Sequence, residues 1–129
     1  MKLLLDTHIW LWYALGEKDL SENLQQVMSK PDTQLWLSPI SVWETLILVE
    51  KGRIQLDRKP KTWIQKYLRL LNLKEARLTF EIAILSRQLE FVHQDPADRF
   101  LGATAIAKSL TLATVDRRLT ELEWLQTIS

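Results

Sequence analysis

The sequence contains no cysteine and only two histidines. Without thiols there are no disulfide bonds, no zinc–thiolate site and no cysteine nucleophile. His8 and His93 alone do not make a histidine-rich metal site, and we expect both to be structural or to lie at the rim of a site. Any metal site in this chain is therefore expected to use oxygen ligands.

An excess of charge of either sign is also absent, because 17 Lys and Arg residues stand against 16 Asp and Glu residues, a formal net charge of +1. That balance neither requires nor excludes a nucleic-acid partner, so the question depends on whether basic residues cluster locally. A hydrophobic fraction of 47% over 129 residues is typical of one globular domain with a single core. Residues 1–129 are expected to form that domain.

Long hydrophobic runs are missing as well. No stretch approaches the ~18 consecutive apolar residues of a membrane span. The apolar stretch before Asp6 is too short for a signal peptide. Together with the lack of cysteine, these features predict a cytoplasmic protein.

The chain begins with a hydrophobic strand that ends at an acid. The three consecutive leucines at residues 3–5 favour a strand buried on both faces, as in a parallel sheet. Asp6 follows directly, and ligands of open α/β sheets bind just beyond the carboxyl ends of the strands. Asp6 is therefore either a site residue or the N-cap of the next helix.

Predicted strands and helices alternate along the rest of the chain, which indicates an α/β fold with a parallel sheet and helices on both faces. Ser41 and Glu44 form a capping-box pattern, and Asp95 with Pro96 is a strong helix start. The further predicted strands are 34–38, 73–78, 111–114 and 124–128. The predicted helices are 8–15, 22–30, 41–51, 62–71, 80–91, one that starts at 95 and a short one after 116.

Several acids lie at strand ends or helix openings rather than on polar faces. Asp98 heads a stripe of hydrophobic and small residues expected to pack on the sheet, so its carboxylate should point inward. Its other possible role, to complement the helix dipole, explains an acid there but not its place on the buried face. Glu44 is equally explained as the capping partner of Ser41, and Asp116 as an N-cap. Asp95 is better explained as a cap than as a ligand.

Four of these carboxylates, from distant parts of the chain, can meet at one edge of a parallel sheet. Packed together they repel one another, and one or more takes up a proton unless a cation is present. All-oxygen ligands select Mg²⁺ or Mn²⁺ rather than zinc. Such a site can activate water and stabilise both oxygens of an in-line displacement at phosphorus. The acids therefore predict phosphodiester hydrolysis.

These motifs resemble those of the PIN-domain nucleases and, among them, the VapC-like toxins of prokaryotic toxin–antitoxin pairs. The resemblance covers essentially the whole chain, in order. The matching segments are Leu3-Leu4-Leu5-Asp6-Thr7, Ser41-Val42-Trp43-Glu44, Asp95-Pro96-Ala97-Asp98-Arg99 with Ala103-Thr104-Ala105, and Thr114-Val115-Asp116. The sequence departs from the family after Asp116, where Arg117-Arg118-Leu119 is a charged stretch and an aromatic residue is common in the family.

The resemblance implies a PIN-like three-layer α/β sandwich, with a central parallel sheet of four to five strands flanked by helices. It also implies a Mg²⁺- or Mn²⁺-dependent endoribonuclease that forms a homodimer and is held inactive by a cognate antitoxin. Asp6 and Asp98 would hold the main ion, and Glu44 and Asp116 would ligate through water or a second ion. The residues expected to orient these carboxylates are Thr7, Ser41 and Thr114.

RNA contact would require a local basic rim, because the net charge is close to zero. Arg99, Arg117 and Arg53 are the first candidates, and ordinary solvated charge is the alternative for each. The wider set near the proposed site in sequence adds Lys51, Arg58, Lys59, Lys61 and Arg118.

The six tryptophans are many for so small a domain, and tryptophan is favoured in interface hot spots. Trp10 and Trp12 are two apart on a predicted helix, so they do not share a face. We expect one to pack on the sheet and the other to lie toward solvent beside the site, in a groove for an antitoxin helix or a second subunit. The alternative is a helix wedged between two others that buries both.

Two other function classes remain open at this level. One is a PIN-like binding module without chemistry, although such proteins usually lose one or more acids and all four are present. The other is a haloacid-dehalogenase-like phosphatase, whose first strand also ends in Asp. In that family the strand is followed by the pattern Asp-x-Asp-x-Thr. In this sequence His8 occupies the position of the second Asp.

Overall fold

The computed structural model describes residues 1–91 and 94–129. The expectation for His93 lies outside the described residues. The strands are β1 (Lys2–Leu5), β2 (Gln34–Leu37), β3 (Lys74–Glu75), β4 (Thr111–Ala113) and β5 (Thr127–Ile128). The helices are α1 (Thr7–Leu15), α2 (Glu22–Ser29), α3 (Pro39–Glu50), α4 (Pro60–Leu70), α5 (Phe80–Gln88), α6 (Pro96–Lys108) and α7 (Arg117–Thr120).

The five strands form one parallel sheet in the order β3-β2-β1-β4-β5. β1 is the central strand, pairing Leu3 with Leu35 of β2 and Leu4 with Leu112 of β4. The chain runs outward from β1 to β3 and then returns to the other side of β1 with β4. The strand order therefore reverses between β1 and β4, and the crevice at such a switch point is where open α/β sheets bind ligands.

The leucines of β1 are fully buried because both faces of the sheet are covered. Leu3 and Leu5 pack in a core that includes Leu24 of α2 and Trp63 of α4. Leu4 points the other way, into a second core with α6, α7 and β4. This is the predicted three-layer α/β architecture, and the prediction of a buried first strand is confirmed.

Helix α6 lies close to its neighbours because residue 102 has no side chain. A Cβ atom on Gly102 would lie 2.7 Å from a ring carbon of Phe91 and 3.2 Å from Trp124. Gly102 belongs to the stripe of hydrophobic and small residues that follows Asp98, and its lack of a side chain permits this close packing. Packing at this distance fixes the position of the N-terminus of α6, which carries Asp98.

Several element boundaries differ from the prediction. Helix α5 ends at Gln88 and not at residue 91, and β5 spans only Thr127–Ile128 of the predicted 124–128. Helix α3 begins at Pro39, and its N-cap is Ser38, whose hydroxyl accepts from the amide of Ile40. The predicted capping box of Ser41 and Glu44 is therefore wrong, because both residues lie inside the helix. The predicted strand 73–78 is reduced to Lys74–Glu75, since β3 lies at the edge of the sheet and pairs only with the short β2.

No helix within the described residues is long and apolar enough to cross a membrane.

The placement predicted for the two tryptophans of α1 is confirmed. Trp10 is fully buried against Trp63, with the ring centroids 5.7 Å apart. Trp12 is half-buried and lines the cleft with Asp6, and its ring lies tilted against that of His8, with the ring centroids 5.9 Å apart.

We therefore expect the two alanine variants to differ in stability. Trp10→Ala should lower the free energy of unfolding by about 3–5 kcal/mol, because it leaves a cavity in the core. Trp12→Ala should lower the free energy of unfolding by roughly half that amount or less, since part of the Trp12 ring already faces water. Urea denaturation of the two variants measures both values, and equal losses would contradict the assigned burial.

Candidate active site

A cleft of about 340 Å³ opens at the carboxyl ends of the strands, next to the switch point. All four acids singled out from the sequence line it, although they come from four different elements. The ionisable residues of its lining are Asp6, His8, Glu44, Asp95, Asp98, Asp116 and Arg118. The structure therefore brings the predicted acids together, with Asp95 as a fifth.

Asp6 is held by hydrogen bonds from two elements. It is the N-cap of α1, and its Oδ1 accepts from the amide of Thr7 at 2.8 Å. Its Oδ2 accepts from the hydroxyl of Thr114, just beyond β4, at 2.7 Å. Asp6 is thus both a cap and a cleft residue, and Thr114 orients it across the switch point.

Glu44 is oriented by Thr7, the residue that follows Asp6. The Thr7 hydroxyl donates to Glu44 Oε1 at 2.6 Å and lies 2.9 Å from the hydroxyl of Ser41. Ser41 and Thr7 are buried, whereas Glu44 is partly exposed on the second turn of α3. The three polar side chains therefore form a network that aims the carboxylate at the cleft.

Asp98 is the most buried of the acids, with 6% of the residue exposed. It lies in the first turn of α6, after Asp95, whose side chain caps the helix by accepting from the amide of Ala97. The N-terminal end of a helix favours negative charge. The position of Asp98 on the buried side of α6 agrees with the stripe seen in the sequence.

Arg118 lies among three of the carboxylates. Its Nη2 is 3.0 Å from Asp116 Oδ2, 3.4 Å from Asp98 Oδ2 and 3.9 Å from Asp95 Oδ2. Its Nε also donates to Asp116 Oδ1, at 3.3 Å. One guanidinium therefore bridges the start of α6 and the start of α7.

Burial, with a smaller contribution from neighbouring carboxylates, raises the pKa of three of these acids. Burial, together with the neighbouring Asp95, Asp6 and Asp116, raises the pKa of Asp98 to about 7, although Arg118 acts in the opposite direction. Burial also raises the pKa of Asp6 and of Glu44 above their ordinary values, against the hydrogen bonds from Thr114 and Thr7. The cluster carries more negative charge than its own cations balance.

The chemistry of these side chains fits a hard divalent cation. The donors are oxygens from carboxylates, which suit Mg²⁺ or Mn²⁺. No three of the described Asp, Glu and His side chains converge closely enough, as they stand, to hold an ion. The guanidinium of Arg118 already lies among Asp95, Asp98 and Asp116, where it supplies part of the positive charge that the cluster needs.

The three arginines predicted first for RNA contact have different surroundings. Arg99 is 6% exposed, and its guanidinium donates to the carbonyls of Ser86 and Leu89. The prediction is wrong for Arg99, because its donors bind the backbone at the end of α5. Arg117 is exposed and lies 3.7 Å from Glu121, and Arg53 is exposed and lines a second cleft.

Two features of the site were not predicted from the sequence. Asp95 was treated only as a cap, yet its side chain also lines the cleft. Arg118 was considered as an RNA contact and not as a partner of the acids. The contact of Arg118 with Asp116 could have been predicted from the sequence, because an arginine two residues after a helix N-cap is close enough to contact the capping side chain.

The chain belongs to the PIN domain family, whose model matches residues 3–125. Ribonuclease VapC22 of Mycobacterium tuberculosis is 32% identical over 120 residues, which cover 91% of this chain and 88% of that protein. The family match gives no support to the phosphatase alternative, which already lacked its second acid.

Solved structures share the fold. VapBC2 from Rickettsia felis, bound to a DNA fragment from its promoter, matches with a TM-score of 0.73 at 16% identity, over 99% of this chain and 98% of that one. A toxin–antitoxin complex from Klebsiella pneumoniae matches with a TM-score of 0.69 at 19% identity, over 98% and 96% of the two chains.

Proposed function

We propose that this chain is a Mg²⁺- or Mn²⁺-dependent endoribonuclease that acts as the toxin of a toxin–antitoxin pair. One observation carries the proposal: Asp6, Glu44, Asp98 and Asp116 line a single open cleft at the switch point of the sheet. Membership of the PIN domain family and the likeness to Ribonuclease VapC22 support the choice of RNA as substrate.

Each acid has a defined part in this proposal. Asp6 and Asp98 hold the main ion, and Glu44 and Asp116 complete the site. When bound, the ion supplies Lewis acidity, which activates water and neutralises charge on the scissile phosphate. Thr114 and the amide of Thr7 keep Asp6 oriented, and the hydroxyl of Thr7 does the same for Glu44. Loss of such outer contacts typically costs 10–100-fold in metal affinity or activity.

The direct test is cleavage of single-stranded RNA by the purified chain. Cleavage should cease in EDTA and return when Mg²⁺ or Mn²⁺ is added in excess. A chain that binds RNA without cutting it at any concentration of either ion would be the inactive binding module. Cleavage that persists undiminished in EDTA would contradict the metal assignment.

Arg118 is expected to compete with the ion for the carboxylates. Arg118→Gln should therefore tighten Mn²⁺ binding by roughly fivefold, the equivalent of ~1 kcal/mol for a partly exposed ion pair. The same change should lower the melting temperature in metal-free buffer, because the acids lose a counter-charge. Calorimetric titration and thermal unfolding measure the two effects.

Arg117→Gln is the matched control for this substitution, since Arg117 is adjacent in sequence and its side chain is 89% exposed. The control should leave metal affinity unchanged. Weaker Mn²⁺ binding in Arg118→Gln would show that this arginine supports the ion instead of competing with it.

A cognate antitoxin and a second copy of the chain are the proposed protein partners. The toxin–antitoxin complexes among the structures that share this fold support the first. Trp12, half-buried at the cleft, is the proposed contact for an antitoxin helix. Co-expression with the neighbouring reading frame should yield a complex with reduced RNA cleavage, and Trp12→Ala should weaken that complex.

The purified chain alone should elute as a dimer in size-exclusion chromatography.

A further inference from the structure

A second cleft adjoins the acidic one along helix α3. It measures about 150 Å³ and shares Thr7, His8 and Glu44 with the acidic cleft. Beyond those shared residues, its lining adds Trp43, Ile47 and Leu48, and then Lys51 and Arg53. One path over the surface therefore leads from the acids, past an aromatic ring, to two basic residues.

Trp43 differs from the other tryptophans in its exposure. It is 55% exposed, whereas Trp10 and Trp63 are buried in the core. Trp36, Trp12 and Trp124 are each half-buried. Exposure of a large apolar side chain to water has a free-energy cost. Single-strand-binding proteins combine exposed aromatic rings, on which bases stack, with basic residues that bind the phosphates.

Lys51 and Arg53 supply charge of the opposite sign at the far end of this cleft. Both are exposed, and within residues 1–91 and 94–129 no ion pair or side-chain hydrogen bond holds either one. Glu44 and Lys51 are seven residues apart, or about 10 Å along the helix at 1.5 Å per residue. The basic end is therefore offset from the acids along α3 and fits the phosphate of a neighbouring nucleotide better than the scissile phosphate.

We propose that Trp43 stacks on an unpaired RNA base next to the scissile phosphate, and that Lys51 and Arg53 bind the phosphate beyond that base. This inference rests on the proposed ribonuclease function and defines where single-stranded RNA leaves the acidic cleft. The order of these groups along the surface fits a single RNA strand: the acids would hold a metal ion at the scissile phosphate, the ring would contact the next base, and the basic residues would contact the next phosphate. A protein partner would instead have to cover Glu44, Lys51 and Arg53 with matching charges.

The test measures binding and not cleavage, so that its failure is distinguishable from failure of the ribonuclease assignment. The host is Asp98→Asn, with a fluorescein-labelled single-stranded RNA in EDTA. In this host, Trp43→Ala should weaken binding about tenfold or more, within the range measured for loss of one stacked base. Trp43→Phe should keep most of the affinity, because it retains a ring.

The basic residues are tested by salt dependence. The double variant Lys51→Gln with Arg53→Gln should lower the slope of log affinity against log salt by about 0.7, the value for one phosphate contact on a single strand. Phe80→Ala is the matched control, since Phe80 is an aromatic residue 90% exposed on α5 and outside both clefts. It should bind RNA as the host does.

An abasic nucleotide locates the stacked base. Placed at the position that Trp43 contacts, it should remove most of the difference between the host and Trp43→Ala, whereas abasic substitution elsewhere should preserve that difference. Unchanged RNA affinity in Trp43→Ala would overturn the proposal. So would Trp43→Ala that binds RNA normally but no longer self-associates, since the ring would then belong to a protein interface.

Discussion

Asp98→Asn is expected to reduce metal-dependent RNA cleavage by about three orders of magnitude, since loss of a metal-binding carboxylate removes several kcal/mol of transition-state stabilisation. Asp98 is buried at the start of α6 and faces the cleft with Asp6, Glu44 and Asp116. Asp6→Asn should have a similar effect for the same reason. Initial rates on one labelled RNA, at saturating Mn²⁺, measure the loss.

Asp95→Asn is the matched control for this experiment. It removes one negative charge from the same helix opening, and an asparagine can still cap α6 by accepting from the amide of Ala97. We expect it to retain most of the wild-type rate because Asp95 is outside the proposed metal set. Wild-type cleavage by Asp98→Asn, or equal losses in the two variants, would show that the assigned ligands are wrong.

The wild-type chain in metal-free buffer is expected to lose stability as pH rises from about 4 to about 7. In the folded state Asp98 has a pKa of about 7, above its ordinary value of 3.8. Stabilisation from the protonated form is therefore fully present below the lower pKa and is lost as pH rises through the higher one. The shift corresponds to about 4 kcal/mol at most. The raised pKa values of Asp6 and Glu44 act in the same direction.

Asp98→Asn isolates this contribution because its amide does not titrate in this range. In EDTA its free energy of unfolding should exceed that of the wild type at about pH 8, and the difference should shrink toward about pH 5. Urea denaturation at several pH values measures the difference. A difference that does not change with pH would contradict the raised pKa of Asp98.

The parts of the site that were predicted correctly rest on local patterns. An uninterrupted leucine run followed by Asp6 indicates a buried strand with an acid at its carboxyl end, and β1 has these bounds. The spacing of small and hydrophobic residues after Asp98 indicates the buried face of α6. Parallel strands end at the same edge of a sheet, so these local predictions together are enough to bring the acids to one cleft.

The errors come from geometry that local patterns do not specify. Ser38 and Ser41 both suit a helix N-cap, and the chain uses Ser38, which leaves Ser41 free to join the network of Thr7 and Glu44. Arg99 follows Asp98 directly, but consecutive residues on a helix point about 100° apart. Its side chain therefore turns away from the cleft toward carbonyls at the end of α5.

Arg118 illustrates a further limit of sequence reasoning. Its reach to Asp98, twenty residues earlier, depends on how α7 is positioned against the start of α6. No pattern within the turn after β4 contains that information. The exposure of Trp43 is a second example, since it depends on which side of α3 faces the core.

The central claim, that Asp6, Glu44, Asp98 and Asp116 form one metal centre, is tested most directly by calorimetric titration of the purified chain with Mn²⁺. The account predicts saturable binding that is lost in Asp98→Asn and in Asp6→Asn, is kept in Asp95→Asn, and has a midpoint in the concentration range where RNA cleavage appears. Mn²⁺ binding of unchanged affinity in both Asp98→Asn and Asp6→Asn would contradict it.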